Sequence, residues 1–437
     1  LLGRFDDDLG VAKVQAKYAY LKQKRGRVQE AQASFVAALR LLEVETIVDQ
    51  EKLDWKEERA SLEQEARELL DRREDPTDLK RLPNEREKLI AELWTRLWYT
   101  HSFHDVGEDN EKMYYLAYKL LHFVAPFGES SELSVSHRIM SITLCQGSHP
   151  DFEQAVRHAF KSVEVARRTD ATMAIAVGYI YIGCVITWES RYEDAIGYLE
   201  QGKTMLERIG NQWDLVNAHI FLMMCKRALG RIEAALGHAL EIVRVAERAQ
   251  AAGSMASGYW KVADLMVLRG EVDLGEVYLE KAISIAEEHE LKFDLYNALK
   301  IRAQHRMHDG KLAEARADLE RAMEFLESNH FMRAYIYDCH IGLAETCVLE
   351  ARELEGAERE QRLTRAERLL DVAIDMEKRY RNHLPYGFRI LARLHAARGN
   401  MAAARTALNE AERIVVRDGR LLERPMVLEL EADLLMA

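Results

Sequence analysis

Several groupings of residue types in this 437-residue chain have the spacing of a chemical site. GYLEQGKT, Gly197 to Thr204, matches the G-x4-G-K-[ST] pattern of a loop that cradles phosphate with backbone N–H groups. His101/His104 and His305/His308 are pairs three residues apart, a spacing that puts two imidazoles on one helix face as metal ligands. Cys145, Cys184, Cys225, Cys339 and Cys347 carry nucleophilic sulfur. From Ala171 to Trp188, ATMAIAVGYIYIGCVITW runs 18 residues without a charge, just reaching the length of a membrane span.

Each grouping lacks the context its chemistry requires. A phosphate loop follows a strand and opens a helix, but this match sits inside a helical pattern, with RYEDAI before it. The histidine pairs bring no third ligand at a recognisable spacing. The cysteines are odd in number, widely spaced and without a CxxC; with no secretory signal and no N-x-[ST] sequon, a reducing cytoplasmic setting is expected. The apolar stretch suits the buried centre of a helical array better than a membrane. No nucleophile elbow, Ser/His/Asp ordering or dinucleotide loop occurs. The sequence therefore predicts no enzyme, no cofactor, no metal and no membrane.

The elements that carry these residues follow a repeat. SRYEDA begins at Ser190, GRIEAA at Gly230, GEVDLG at Gly270 and GKLAEA at Gly310, each 40 residues after the last. PDFEQA ends at Ala155, one period earlier; GNMAAA ends at Ala404, and RLTRA ends at Ala366 after an insertion of about eleven residues. GRVQEA, Gly26 to Ala31, has the same form. One cause accounts for the signature: glycine ends a helix, an apolar residue packs the turn, and a small residue lets the next helix approach. Between turns the apolar period is helical, as in Leu312, Ala315, Leu319, Ala322 and Leu326. Each unit is then two antiparallel helices of 15–18 residues, with Asn211, Asp294 and Asn329 placed as caps and Pro385 and Pro425 in first turns.

These units resemble the tetratricopeptide repeat. Tyr179, Ile182, Gly183, Ile186, Tyr192, Ala195, Leu199 and Gly202 take the consensus positions in one unit. Phe388, Leu391, Ala392, His395, Met401, Ala404, Leu408 and Ala411 take them in the last. Departures are the 40-residue period, Met223 and Lys226, and Arg302 and Arg306. The resemblance implies an all-α, right-handed superhelix, an α-solenoid whose groove is lined by the first helix of each pair. It places Asn217, Arg227, Trp260, Asp264, Asn297, Lys300, Gln304, His308, Arg389 and Arg393 on that groove. The Lys/Asn clamp that some members use for a C-terminal carboxylate is hinted at only by Lys300 with Asn297.

Three segments are expected: tetratricopeptide-like helices over 1–42, a charged helical insert over 43–112, and the main array over 113–437. In the insert, Leu53, Leu62, Ala66, Leu69 and Leu70 form a thin apolar stripe that suits either a coiled-coil partner or packing back on the array, the second favoured because it is too short for three or four heptads, and Trp94 and Trp98 seal the junction. Pro76 and Pro83 break the chain between them. This order is similar to the helical regions that follow a STAND-type ATPase in multidomain signalling proteins, which implies a sensor or interaction region attached to further domains. LLGRFDD at the start reads as a helix end, so a fragment of a longer protein is expected. The rival reading is a stand-alone scaffold. Expected partners are a protein or peptide, or a small inducer. A net charge of −12 with no basic stripe argues against direct binding of nucleic acid. Only 6 prolines and 23 glycines, and 48% hydrophobic residues, exclude a turn-rich β fold and a disordered chain.

Overall fold

The computed structural model describes residues 8–24, 27–44, 55–71, 81–104, 111–146, 150–328 and 337–436. Those residues form helices and turns with no strand, the all-α architecture that the repeat predicts. They divide into two compact units, one ending at Val185 and the other beginning at Ile186. The segment LLGRFDD, the side chains of Leu53, Leu69 and His104, Pro76 and the cap position Asn329 lie outside the description.

The first unit contains α1 (Asp8–Lys24), α2 (Val28–Leu41), α3 (Trp55–Asp71), α4 (Glu85–His104), α5 (Glu111–Val124), α6 (Ser131–Gln146), α7 (Phe152–Arg168) and most of α8 (Thr172–Trp188). The charged helix α3 packs on α5, burying Leu62 and Ala66. Trp98 is buried and donates its indole N–H to Thr143 Oγ1 at 2.8 Å, tying α4 to α6. Trp94 meets Phe123 of α5 edge to face, with centroids 5.1 Å apart. Both tryptophans thus close the seam between α4 and its neighbours.

The second unit runs through α9 (Tyr192–Ile209), α10 (Gln212–Ala228), α11 (Ile232–Ala249), α12 (Ala252–Leu268), α13 (Val272–Glu288), α14 (Lys292–His308), α15 (Leu312–Ser328), α16 (Tyr337–Glu350), α17 (Gly356–Tyr380), α18 (Leu384–Ala397), α19 (Met401–Arg417) and α20 (Arg424–Met436). Each helix packs on the next. First helices α12, α14, α16, α18 and α20 also pack on one another in succession, whereas no comparable packing joins α11 to α13, α13 to α15 or α15 to α17. The array therefore curves toward its first helices, which form the concave layer.

The turns keep a finer register than the glycines alone reveal. Asp170, Ser190, Gly210, Gly230, Gln250, Gly270, Glu290 and Gly310 all have positive φ, one every 20 residues. A 17- or 18-residue helix followed by one left-handed residue is the half-repeat. Four of these positions are not glycine and accept the modest strain of a left-handed residue.

The second unit also closes on itself. Ser190 donates to Asn382 Oδ1 at 2.8 Å across 192 positions, and the Leu422 N–H reaches the Ala228 carbonyl at 3.4 Å. Arg420 lies over the Tyr192 ring at 5.7 Å and donates to the Arg381 carbonyl at 3.2 Å. The turns of the first pairs in this unit thus meet the turns of the last.

Close helix approach depends on small residues. A Cβ on Gly258 would stand 2.8 Å from Val243 Cγ2 and 3.2 Å from the Val243 backbone nitrogen, while Gly237 has nothing within 4 Å. Gly258→Ala should lower the urea midpoint by the equivalent of about 1–3 kcal/mol through overpacking. Gly237→Ala should raise stability by roughly 0.5–1 kcal/mol through helix propensity. Equal effects of the two substitutions would contradict this packing.

Candidate functional site

The motifs that suggested chemistry are absorbed by the helices. Gly197 to Thr204 lies within α9, where Gly202 is buried, Lys203 pairs with Glu200 and Glu207, and Thr204 bonds the Glu200 carbonyl. No strand precedes it, so no phosphate loop exists there. His305 is buried with neither ring nitrogen hydrogen-bonded, and the His308 side chain is 88% exposed, so this pair does not converge. His101 is buried. Among the described residues no group of three or more His, Cys, Asp or Glu side chains could hold a metal. None of the five thiols forms a disulfide and all are buried; burial pushes the Cys225 thiol up to about 12. Among the described residues no helix is long and apolar enough to cross a membrane.

The concave layer of the second unit is different. Neighbouring first helices are tied, one pair after another, by bonds to a carboxylate. Arg227 of α10 grips Asp264 of α12 with two nitrogens, at 2.5 and 3.1 Å. Trp260 of α12 donates its indole N–H to Asp294 of α14 at 3.0 Å. Tyr296 and Lys300 of α14 both bond Asp338 of α16, the tyrosine at 3.2 Å. From α18, Tyr386 and Arg393 bond Glu345 of α16 at 2.6 and 2.9 Å. Arg389 stands 3.6 Å from the same carboxylate.

Seven of the ten residues expected on the groove therefore belong to this ladder or its edge: Arg227, Trp260, Asp264, Asn297, Lys300, Arg389 and Arg393. Asn297 is buried, donates to the Phe293 carbonyl at 2.8 Å and accepts from Lys300 at 3.3 Å. Asn217 is half-buried, and Gln304 is exposed with His308 toward the end of α14. These three stand apart from the ladder. Asp294 corrects the expected cap: α14 begins after Leu291 without a side-chain cap, and the Asp294 carboxylate serves Trp260 instead. Asn211 does cap α10, accepting from the Asp214 N–H at 3.2 Å.

Sequence reasoning missed the acceptors, Asp338 and Glu345, and with them Tyr296 and Tyr386. Both carboxylates lie on α16, whose pair carries the insertion. The added residues lengthen the second helix, α17, to 25 residues, so counting back from Ala366 never reaches α16 in register. The signal that could have found them is chemical: Lys300, Arg389 and Arg393 on flanking first helices require anionic partners once desolvated.

Burial governs the electrostatics. It raises the Asp294 carboxyl to about 6, against Lys261 and the Trp260 bond, which pull it down. Burial works against the Asp338 carboxylate too, but Lys300 and His383 outweigh it and hold it below the usual range. His383 is pushed down to about 4 by burial despite Asp338. Lys261 is buried, 3.6 Å from the Trp260 ring centre, bonded to the Ser257 hydroxyl at 2.6 Å and carbonyl at 3.2 Å. Burial lowers it to about 7, with Asp294 opposing.

No family model matches the chain, and no curated protein matches it. Solved structures do. A Rap protein complexed with competence and sporulation factor is 13% identical, with a TM-score of 0.51 over 91% of this chain and 99% of its own. Aspartyl phosphate phosphatase F from Bacillus subtilis is 13% identical, with a TM-score of 0.50 over 82% and 93%. A signal transduction ATPase with a tetratricopeptide repeat sensor, from Pyrococcus horikoshii, is 15% identical, with a TM-score of 0.47 over 88% and 56%. Fold and sequence signature together define the class: a tetratricopeptide-like array of helix pairs.

The lysine beneath Trp260 yields a pH prediction. A folded value near 7 lies below the ordinary lysine range, so the native state binds its proton less well than the unfolded chain. The cost is complete below pH 7 and fades as pH rises toward the ordinary value of about 10.4. Lys261→Met should raise stability at pH 6.5 by on the order of 1–2 kcal/mol. The gain should shrink by pH 9.5, measured by urea midpoints. A gain independent of pH would refute this assignment.

Proposed function

We propose that this chain is a non-catalytic binding module whose concave layer in the second unit takes up a protein segment, a peptide or a small inducer. In this reading it is the sensor or interaction region of a larger cytoplasmic signalling or regulatory protein, such as one carrying a STAND-type ATPase or a kinase. The observation that carries the reading is the ladder. Each first helix from α10 to α18 is joined to the next by a bond to a carboxylate on the concave side. A ligand that supplies its own donor or acceptor exchanges with one of these bonds and changes how two neighbouring helices are held. Small rotations per pair then add along a solenoid, because each pair contacts mainly its neighbours. The Rap protein of similar fold was solved in complex with competence and sporulation factor, which supports the reading of a bound signal.

Trp260 and Lys300 are the groups through which the test is made. Trp260 is half-buried, offering an aromatic face, and Lys300 holds Asp338 with 12% of its side chain exposed. Partners captured on the native chain and identified by mass spectrometry should be depleted at least fivefold on a Trp260→Ala/Lys300→Glu variant, roughly the loss of 1 kcal/mol or more expected of anchoring side chains. Circular dichroism should show the variant folded. Equal recovery would remove the concave layer as the binding surface.

A further inference from the structure

Along the ladder Asp264 pairs with Arg227 and Asp338 with Lys300, one cation to each carboxylate, but where α16 meets α18 that balance fails. Glu345 spends both oxygens there: Oε2 accepts from Tyr386 at 2.6 Å and Oε1 from Arg393 at 2.9 Å. Arg389, four residues before Arg393 and so on the same face of α18, reaches Oε1 only at 3.6 Å, beyond a hydrogen bond. Its guanidinium lies 5.0 Å from the Tyr386 ring centre and makes no hydrogen bond among the described residues. Yet Arg389 is only 9% exposed.

A guanidinium that has lost most of its water and found no acceptor is costly to hold. Arg393 shows the same excess, for its Nε is buried without a partner. Burial lowers the Arg393 guanidinium below its ordinary value; Glu345 opposes this, and Arg389 and Arg352 add repulsion. A buried guanidinium and a half-buried one share a single carboxylate, so this point of the concave layer carries one uncompensated positive charge.

We propose that Arg389 and Arg393 form an anion subsite that takes one oxyanion group, a carboxylate or a phosphate, of the ligand bound in the concave layer. The proposal rests on the groove reading above and names the chemistry of what the groove accepts. An oxyanion beside Arg389 fills the planar donor fork that Glu345 cannot reach, and charge-assisted bonds of this kind are the strong ones. Tyr386 holds Glu345 from the other side, so the carboxylate stays engaged while the fork is filled.

The test uses the full chain with inorganic phosphate, succinate and fluorescein-labelled random nonapeptide pools. The pools carry Glu or Gln at a central position, each with a free or an amidated C-terminus. Phosphate or succinate should raise the melting temperature above that in chloride of equal ionic strength. Arg389→Gln should abolish the rise, and Arg389→Lys should restore only part of it. Pools with Glu or a free carboxylate should bind about tenfold more tightly than their neutral counterparts, and Arg389→Gln should erase the difference. The phosphate, succinate, Glu and free-terminus arms separate phosphate, side-chain and terminal carboxylate as the source. No response to either anion in the native chain, or a full response in folded Arg389→Gln, overturns the subsite. Peptides that bind without regard to charge leave the groove reading standing and the subsite refuted. An Arg389-dependent anion response with no peptide binding supports the subsite and turns the groove toward small anionic ligands.

Discussion

A carboxylate half-buried between two first helices needs a donor from the neighbouring one, and the concave layer of the second unit is organised by that requirement. Asp264, Asp294, Asp338 and Glu345 each sit where two helices meet and each accepts from the neighbouring one. Leaving any of them unpaired costs several times what a surface ion pair contributes. The spacing of the first helices is therefore tied to these bonds as well as to the aliphatic core behind them. Asp294 and Lys261 show how low the local polarity has become, for burial moves both toward their neutral forms.

Closure of the second unit follows from the same regularity. With one left-handed residue every 20 positions from Asp170 to Gly310, the inter-helix turns fall in line. Ser190 and Ala228 can then meet Asn382 and Leu422 at nearly the same separation in sequence. Gly230 serves both ends of this arrangement: its positive φ ends a helix, and its missing side chain leaves room for Leu421, whose Cβ would stand 3.2 Å from a Cβ there. A ladder of polar bonds on the concave side and a closure through the turns constrain the curvature from two places.

Helix type, pairing and the 40-residue period were legible because they depend on local chemistry. Helical apolar period, small residues such as Ala195, Ala235 and Ala315, and turn glycines are each local signals, and all three alanines are fully buried. The phosphate-loop match was legible as helix for the same reason: such a loop follows a strand, and Gly197 to Thr204 lies inside α9. Seven of the residues expected on the groove, by counting back from the small residue of each turn signature, lie in the ladder or at its edge. The count broke at α16, because an insertion in the turn and second helix shifts the numbering without altering the first helix's place in the array.

By itself the sequence determined that the chain is a series of paired helices with a 40-residue period and which face of each helix is apolar. Those properties arise from residues a few positions apart. Only the tertiary structure decided which polar groups on neighbouring first helices find one another. Partners such as Lys300 and Asp338, or Glu345 and Arg393, stand 38 and 48 positions apart, and curvature brings them together. It also decided that Arg389 comes up short of an acceptor, since 0.7 Å separates its contact with Glu345 from that of Arg393, 3.6 against 2.9 Å. Such a difference is set by helix packing, which no pattern of residue types encodes on its own.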